Sequence, residues 1–144
     1  MPLDPQTRVF LDQLALLPTW YEIPLDEARK QRVLSTLALN GPPEPVQKVE
    51  DREIPGPGGT IPLRIYTPEG DGPFPLLVYF HGGGWVLSNL DTHDILCRKL
   101  ANRASCIVVS VDYRLAPEHK FPAAVEDSYA ATSWVAEHAS ELHG

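Results

Sequence analysis

Long apolar runs are missing from this sequence. None approaches the roughly 18 apolar residues that span a bilayer, so no membrane span is expected. The amino terminus, Met-Pro-Leu-Asp-Pro, has no basic n-region of a secretory signal, and a cytoplasmic location follows as the default. Cysteine is scarce: Cys97 and Cys106 show no C-x-x-C spacing and are expected to be reduced core residues. Basic residues are outnumbered, 12 Lys and Arg against 19 Asp and Glu. They form no stripe, and the net charge of −7 would repel phosphate backbones, which argues against nucleic-acid binding. Gly-Lys-Ser/Thr and Gly-x-Gly-x-x-Gly are both absent, so a phosphate loop is disfavoured. No cofactor and no metal is expected. Proline, by contrast, is plentiful at 15 residues, which implies many fixed turns. At 144 residues the chain is long enough for one domain, which could bury about 68–70 % of its unfolded surface.

The most informative stretch is Leu76 to Trp85, Leu-Leu-Val-Tyr-Phe-His-Gly-Gly-Gly-Trp. Its apolar run, bounded by Pro75 and three glycines, predicts a strand buried on both faces, as in a mainly parallel sheet. Consecutive glycines are entropically costly and are kept where the backbone needs positive φ or close approach to another group. N–H groups unshielded by side chains can converge on an anion, and at the carboxyl end of an open α/β sheet such a concavity lies where ligands bind. The bland reading is a turn that links strand to helix. The functional one is an oxyanion hole, because His-Gly-Gly-Gly after a buried strand resembles the loop that serves this purpose in lipases and esterases.

Around this stretch the chain divides into recognisable elements. Asp4-Pro5 reads as an N-cap and first-turn pair, with Val9, Phe10, Leu11, Leu14 and Leu17 on one helical face and Pro18 as the stop. A second helix is predicted from about Leu25 to Leu39, with Ala28, Val33, Leu34, Leu37 and Ala38 on one side and Asn40-Gly41-Pro42-Pro43 ending it. Val46 to Ile54 and Ile61, Leu63, Ile65 read as an antiparallel hairpin, with Pro62 near an edge or bulge. Asp91 and Asp94 mark a further helix start, with Ile95, Leu96, Leu100 and Ala101 on one face. Cys106 to Val111 is a second buried strand, which completes a βαβ unit. Pro122 opens a last helix to about His138, with Ala124, Val125, Ala131, Val135 and Leu142 inward. Between them, Asp112-Tyr113-Arg114-Leu115-Ala116-Pro117-Glu118 follows the second strand on the same sheet edge as His81. Such a set is more often a salt-bridge network than a catalytic one. Here it would brace the glycine loop, since a preorganised oxyanion hole must not sag.

Taken together, His81 to Trp85, Asp112 to Glu118 and Phe121-Pro122-Ala123-Ala124 resemble the hormone-sensitive-lipase-like branch of α/β-hydrolase carboxylesterases. The resemblance implies an α/β fold, the amino-terminal part of an α/β-hydrolase. Residues 1–45 would form a helical cap segment over the acyl pocket, and 46–144 an incomplete α/β-hydrolase core with a mostly parallel sheet, an antiparallel first hairpin and strand order 1, 2, 4, 3. It implies that Gly83 and Gly84 supply oxyanion-hole N–H groups, that His81 and Gly82 shape the loop, and that Trp85 flanks a small ester substrate. The implied reaction is acyl transfer from a carboxylic ester to a serine and then to water.

From that family the sequence departs in one respect: no G-x-S-x-G nucleophile elbow occurs before Gly144. Ser88, Ser105, Ser110, Ser128 and Ser133 lack the elbow context, and His93, His119, His138 and His143 read as ordinary polar residues. The expectation is therefore an amino-terminal piece that stops before the Ser-Asp-His triad and is inactive alone. A non-catalytic small-molecule-binding protein on the same fold and an amide hydrolase stay open as alternatives. Nothing in the residues sets the oligomeric state.

Overall fold

The computed structural model describes residues 2–16 and 19–144. Helix α1 spans Pro5–Leu14, capped by Asp4, whose carboxylate accepts from the N–H groups of Gln6 and Thr7 at 2.9 and 3.2 Å. Leu17 and Pro18, expected on its apolar face and as its stop, lie outside the described residues. Helix α2, Leu25–Asn40, ends where Gly41 turns to φ +68° ahead of two prolines. The expected inward face of α2 is corrected. Ala28 is buried, but Leu34, Leu37 and Ala38 are exposed, because the helix faces the protein with the side that carries Ala28, Arg29 and Arg32. α1 buries no residue at all.

Strands β1, Lys48–Gly56, and β2, Gly59–Thr67, form the expected antiparallel hairpin, in register from Lys48 opposite Thr67 to Gly56 opposite Gly59. β3 is Leu76–Phe80 and β4 is Ile107–Val111. The sheet order is β1-β2-β4-β3, the order the resemblance implied, with β2 antiparallel and β3 parallel to β4. Pro62 explains where one ladder stops. Pairing of β2 with β4 begins at Leu63, while the Pro62 carbonyl accepts from the Asp112 N–H at 2.9 Å and has no N–H to return. All five residues of β4 are buried, each apolar one contributing about 1.5–3 kcal/mol. β3 lies at the sheet edge, as that order requires, and pairs with β4 alone. Its expected burial on both faces is corrected: Leu76 to Tyr79 are half-buried and Phe80 is exposed.

Helix α3, Leu90–Ala104, joins β3 to β4, and α4, Ala123–Glu137, follows β4 and leads into a short 3₁₀ turn, Ala139–Leu142. The two helices cover opposite faces of the sheet, as period-two alternation along β4 requires. Ile107, Val109 and Val111 pack with Ile54, Ile61, Leu63, Ile65, Ala131 and Val135 on the α4 side. Val108 packs with Tyr66, Cys97 and Ala101 on the α3 side. Both cysteines are free and buried, and burial pushes the Cys97 thiol up to about 11.

Helix α3 starts where Asp91 marks it, with Asp91 in its first turn and Asn89 as its cap: Asn89 and Thr92 exchange side-chain and backbone hydrogen bonds in a reciprocal box. Two sequence expectations about these helices change. Cys97 takes the inward position and Leu96 is exposed. On α4 the buried positions recur every fourth residue, Ala123, Asp127, Ala131 and Val135, which turns Val125 outward at 56 % exposure. Asp127 can occupy that stripe because Arg114 neutralises it. The guanidinium Nε and Nη2 donate to its two oxygens at 2.8 Å, and the Arg114 backbone N–H donates at 2.9 Å. α2, finally, packs against α3.

Candidate active site

The segment from His81 to Asn89 carries the chain from the end of β3 to the start of α3. His81 is buried, its ring stacked on Tyr113 with centroids 4.5 Å apart and on His93 at 5.7 Å. The Tyr113 hydroxyl donates to the His81 carbonyl at 2.5 Å, pinning the main chain where the strand ends. Burial first, then Asp112, raises the Tyr113 pKa, so the hydroxyl keeps the proton it donates. The His81 Nδ1 lies 3.0 Å from the Gly82 carbonyl, and Nε2, which has no hydrogen-bond partner, lies 3.7 Å from the Asp112 carboxylate. Burial, followed by neighbouring His81, lowers the pKa of His93.

Gly83 and Gly84 adopt φ of +140° and +63°, backbone that side chains rarely allow. The Gly83 carbonyl accepts from the N–H groups of Val86 and Leu87 at 3.2 and 2.9 Å, closing a tight turn. A Cβ on Gly83 would be driven into the Leu87 carbonyl oxygen, whereas one on Gly84 would meet open space. Among the described residues, no acceptor meets the N–H of either glycine. Trp85 and Ser88 also have positive φ, +59° and +77°, so the whole turn is held in an unusual path.

The two glycines line a cavity of about 490 Å³ together with His81, Tyr113, Val125 and Ser128. A second, more apolar cavity of about 490 Å³ adjoins it, walled by Trp85, Phe121, Pro122 and Val125. Gly84, Trp85, Ala124 and Val125 belong to both, so Gly84 stands at the junction. Trp85, 66 % exposed, forms part of the wall on each side.

The stretch from Asp112 to Glu118 meets the glycine loop as a brace. The Ala116 N–H donates to the Trp85 carbonyl at 2.8 Å, and Glu118 pairs with Arg29 of α2 at 2.8 Å. The Arg29 hydrogen bonds hold the Glu118 carboxyl down to about 2. The structure places His81, Gly82, Gly83, Gly84 and Trp85 on one turn beside these cavities, with Val125, Ser128 and Phe121 among the lining residues and Arg29 bound to the turn through the Val86 carbonyl. Phe121 lay in a recognised motif without an assigned role, and Val125 was placed inward by helical spacing. Nothing local marked Arg29, whose partners lie 57 to 89 residues away.

The Ser88 hydroxyl accepts from Arg32 at 3.3 Å, that of Ser128 donates to the Ala124 carbonyl at 2.7 Å, and that of Ser110 is buried without a partner. Among the described residues no serine hydroxyl is hydrogen-bonded to an imidazole. Nor, among the described residues, do three or more His, Cys, Asp or Glu side chains come together as metal ligands, or is any helix long and apolar enough to cross a membrane.

Comparison with known proteins agrees with this architecture. A sequence profile of the family described as alpha/beta hydrolase fold matches residues 77–144. The carboxylic ester hydrolase LipN of Mycobacterium tuberculosis is 58 % identical over 107 residues, 74 % of this chain and 28 % of LipN. An arylesterase of Saccharolobus solfataricus is 41 % identical over 144 residues, 99 % of this chain and 47 % of its own. Among solved structures, a hyperthermophilic esterase from the archaeon Pyrobaculum calidifontis superposes with a TM-score of 0.92 at 49 % identity, covering 99 % of this chain and 46 % of that one. The fold and the glycine loop define an α/β hydrolase. Within that class the relatives named above, which the chain resembles, are ester hydrolases. It spans less than half the length of each of these three relatives.

Proposed function

We propose that these residues form the oxyanion-hole part of a serine carboxylesterase that acts on small carboxylic esters. The observation that carries the reading is the pair Gly83 and Gly84, with positive φ, unshielded N–H groups without an acceptor, and a cavity beside them at the carboxyl end of β3. In this reading the serine oxygen attacks the ester carbonyl carbon, and its proton passes to a base. The carbonyl oxygen becomes an oxyanion that Gly83 and Gly84 stabilise through their N–H groups. Collapse of the tetrahedral adduct breaks the bond to the alcohol, which leaves with a proton. Water then attacks the acyl-serine and releases the acid. His81 and Gly82 shape the loop, Trp85 flanks the substrate, and residues 1–45 act as a cap segment over residues 46–144. The nucleophile lies outside these 144 residues, a view supported by the missing G-x-S-x-G and by the Ser88 and Ser128 hydroxyls, which are bound to Arg32 and to the Ala124 carbonyl.

The test joins residues 1–144 to the remaining half of the Saccharolobus arylesterase, which aligns with 99 % of this chain. The joined enzyme is expected to hydrolyse a short-chain nitrophenyl ester saturably and to be blocked by a serine-directed phosphonate, while the 144-residue chain gives only the buffer rate. Phosphonate-sensitive turnover by the short chain would place a nucleophile within it. A folded joined protein that binds the ester without turnover would favour a binding protein instead.

A further inference from the structure

Arg29 belongs to α2, in the segment read as a cap, yet its guanidinium ends on the glycine loop. Its Nε donates to the Val86 carbonyl at 2.9 Å and its Nη2 to the Ala116 carbonyl at 3.0 Å. Nη1 and Nη2 also donate to the two Glu118 oxygens, each at 2.8 Å. Both carbonyl partners matter for where the glycines sit. Val86 turns its own N–H onto the Gly83 carbonyl, and Ala116 turns its N–H onto the Trp85 carbonyl. A closed ring of contacts therefore runs from Arg29 through Val86 to Gly83, and from Trp85 through Ala116 back to Arg29.

An ion pair is not a sufficient account of this arrangement. The Arg29 and Glu118 side chains are 30 % and 50 % exposed, and pairs so open to solvent contribute little to stability. A planar guanidinium can satisfy two carbonyls and a carboxylate at once, which a lysine ammonium on a flexible stem cannot do in the same geometry. We propose that Arg29 is a positioning residue of the oxyanion hole, fixing the Gly83 and Gly84 N–H groups through the carbonyls of Val86 and Ala116 and so coupling α2 to the hole. The proposal rests on the oxyanion reading of those glycines.

Hydrogen exchange on the 144-residue chain tests the clasp without any need for turnover. In Arg29→Ala the amides of Val86, Leu87 and Ala116 are expected to exchange about 10- to 100-fold faster, the size expected when charge-assisted hydrogen bonds are lost. Those of Val108 and Val109 in β4 should change less than about twofold, because local opening does not require global unfolding. Arg29→Lys should fail to restore protection. Glu118→Gln, which removes the charge pair but leaves the guanidinium, should keep it within about threefold. In the joined enzyme Arg29→Ala should lower kcat with KM nearly unchanged. An equal rise at β4, full rescue by lysine, or unchanged exchange at all three loop amides would overturn the clasp. Faster loop exchange with normal kcat would overturn the coupling to the hole. A joined enzyme without activity even before substitution would count against the oxyanion reading, while the exchange data still judge the clasp.

Discussion

Replacing Gly83 by alanine in the joined enzyme is expected to lower kcat by about 10²- to 10³-fold, the loss that follows removal of one oxyanion donor, roughly 2.7–4 kcal/mol. Alanine retains the N–H, so the effect comes from its direction. At φ +140° an L-residue is strained, and the new Cβ would press into the carbonyl oxygen of Leu87, the residue whose N–H closes the turn onto the Gly83 carbonyl. The turn must open, and the donor moves with it. KM should change far less, because the charge on the carbonyl oxygen develops only in the transition state. Gly84→Ala is the control. Its φ of +63° lies in the left-handed region and its Cβ would meet nothing, so the backbone costs about 1–2 kcal/mol while the N–H keeps its place. Its kcat should fall much less than that of Gly83→Ala. Gly84→Pro would delete a donor but force φ to about −65°, moving the loop at the same time, so it cannot separate the two effects. Initial-rate kinetics, run well below the melting temperature of each variant so that all are folded, make the comparison. A folded Gly83→Ala enzyme with near-normal kcat would return this loop to the role of a turn.

The largest stability loss is expected at Asp127. Its side chain is 1 % exposed and takes hydrogen bonds from the Arg114 guanidinium and from the Arg114 backbone N–H. Asp127→Ala leaves a guanidinium and a main-chain donor unpaired beside an apolar stripe, and breaking a buried pair in this way costs about 3–5 kcal/mol. Arg114 is 23 % exposed and can recover some hydration, which favours the lower end of that range. For a domain of this size a loss near 3 kcal/mol lowers Tm by roughly 6–12 °C. Asp127→Asn, which keeps the volume and one acceptor, should lose less. Denaturant melts of the three proteins decide the point, and a loss below about 1 kcal/mol for alanine would make the pair equivalent to a surface ion pair.

These two residues also show which features were legible in the sequence. Gly83 stood in a motif whose strand, loop and helix are contiguous, so local residue types were enough to locate it. β4, with its run of β-branched residues, and the hairpin around Pro57-Gly58 were legible for the same reason. Asp127 was not, since an acid on an apolar helical stripe makes sense only with Arg114 opposite it, 13 residues away. Helical spacing likewise grouped Leu34 with Leu37, and Val9 with Phe10 and Leu14, without saying what would cover them. The structure leaves all five exposed. Asp91 marks the start of α3 and lies in its first turn, while the cap itself, Asn89, is set by the reciprocal pair of bonds with Thr92. Arg29 joined the site through contacts that no sequence window contains.

A crystal structure of the joined enzyme after reaction with a serine-directed phosphonate tests the central claim most directly, because the phosphoryl oxygen stands where the oxyanion would. The account predicts that oxygen within about 2.7–3.1 Å of the backbone nitrogens of both Gly83 and Gly84. A phosphoryl oxygen held by other donors, with both glycine nitrogens out of hydrogen-bond reach, would contradict it.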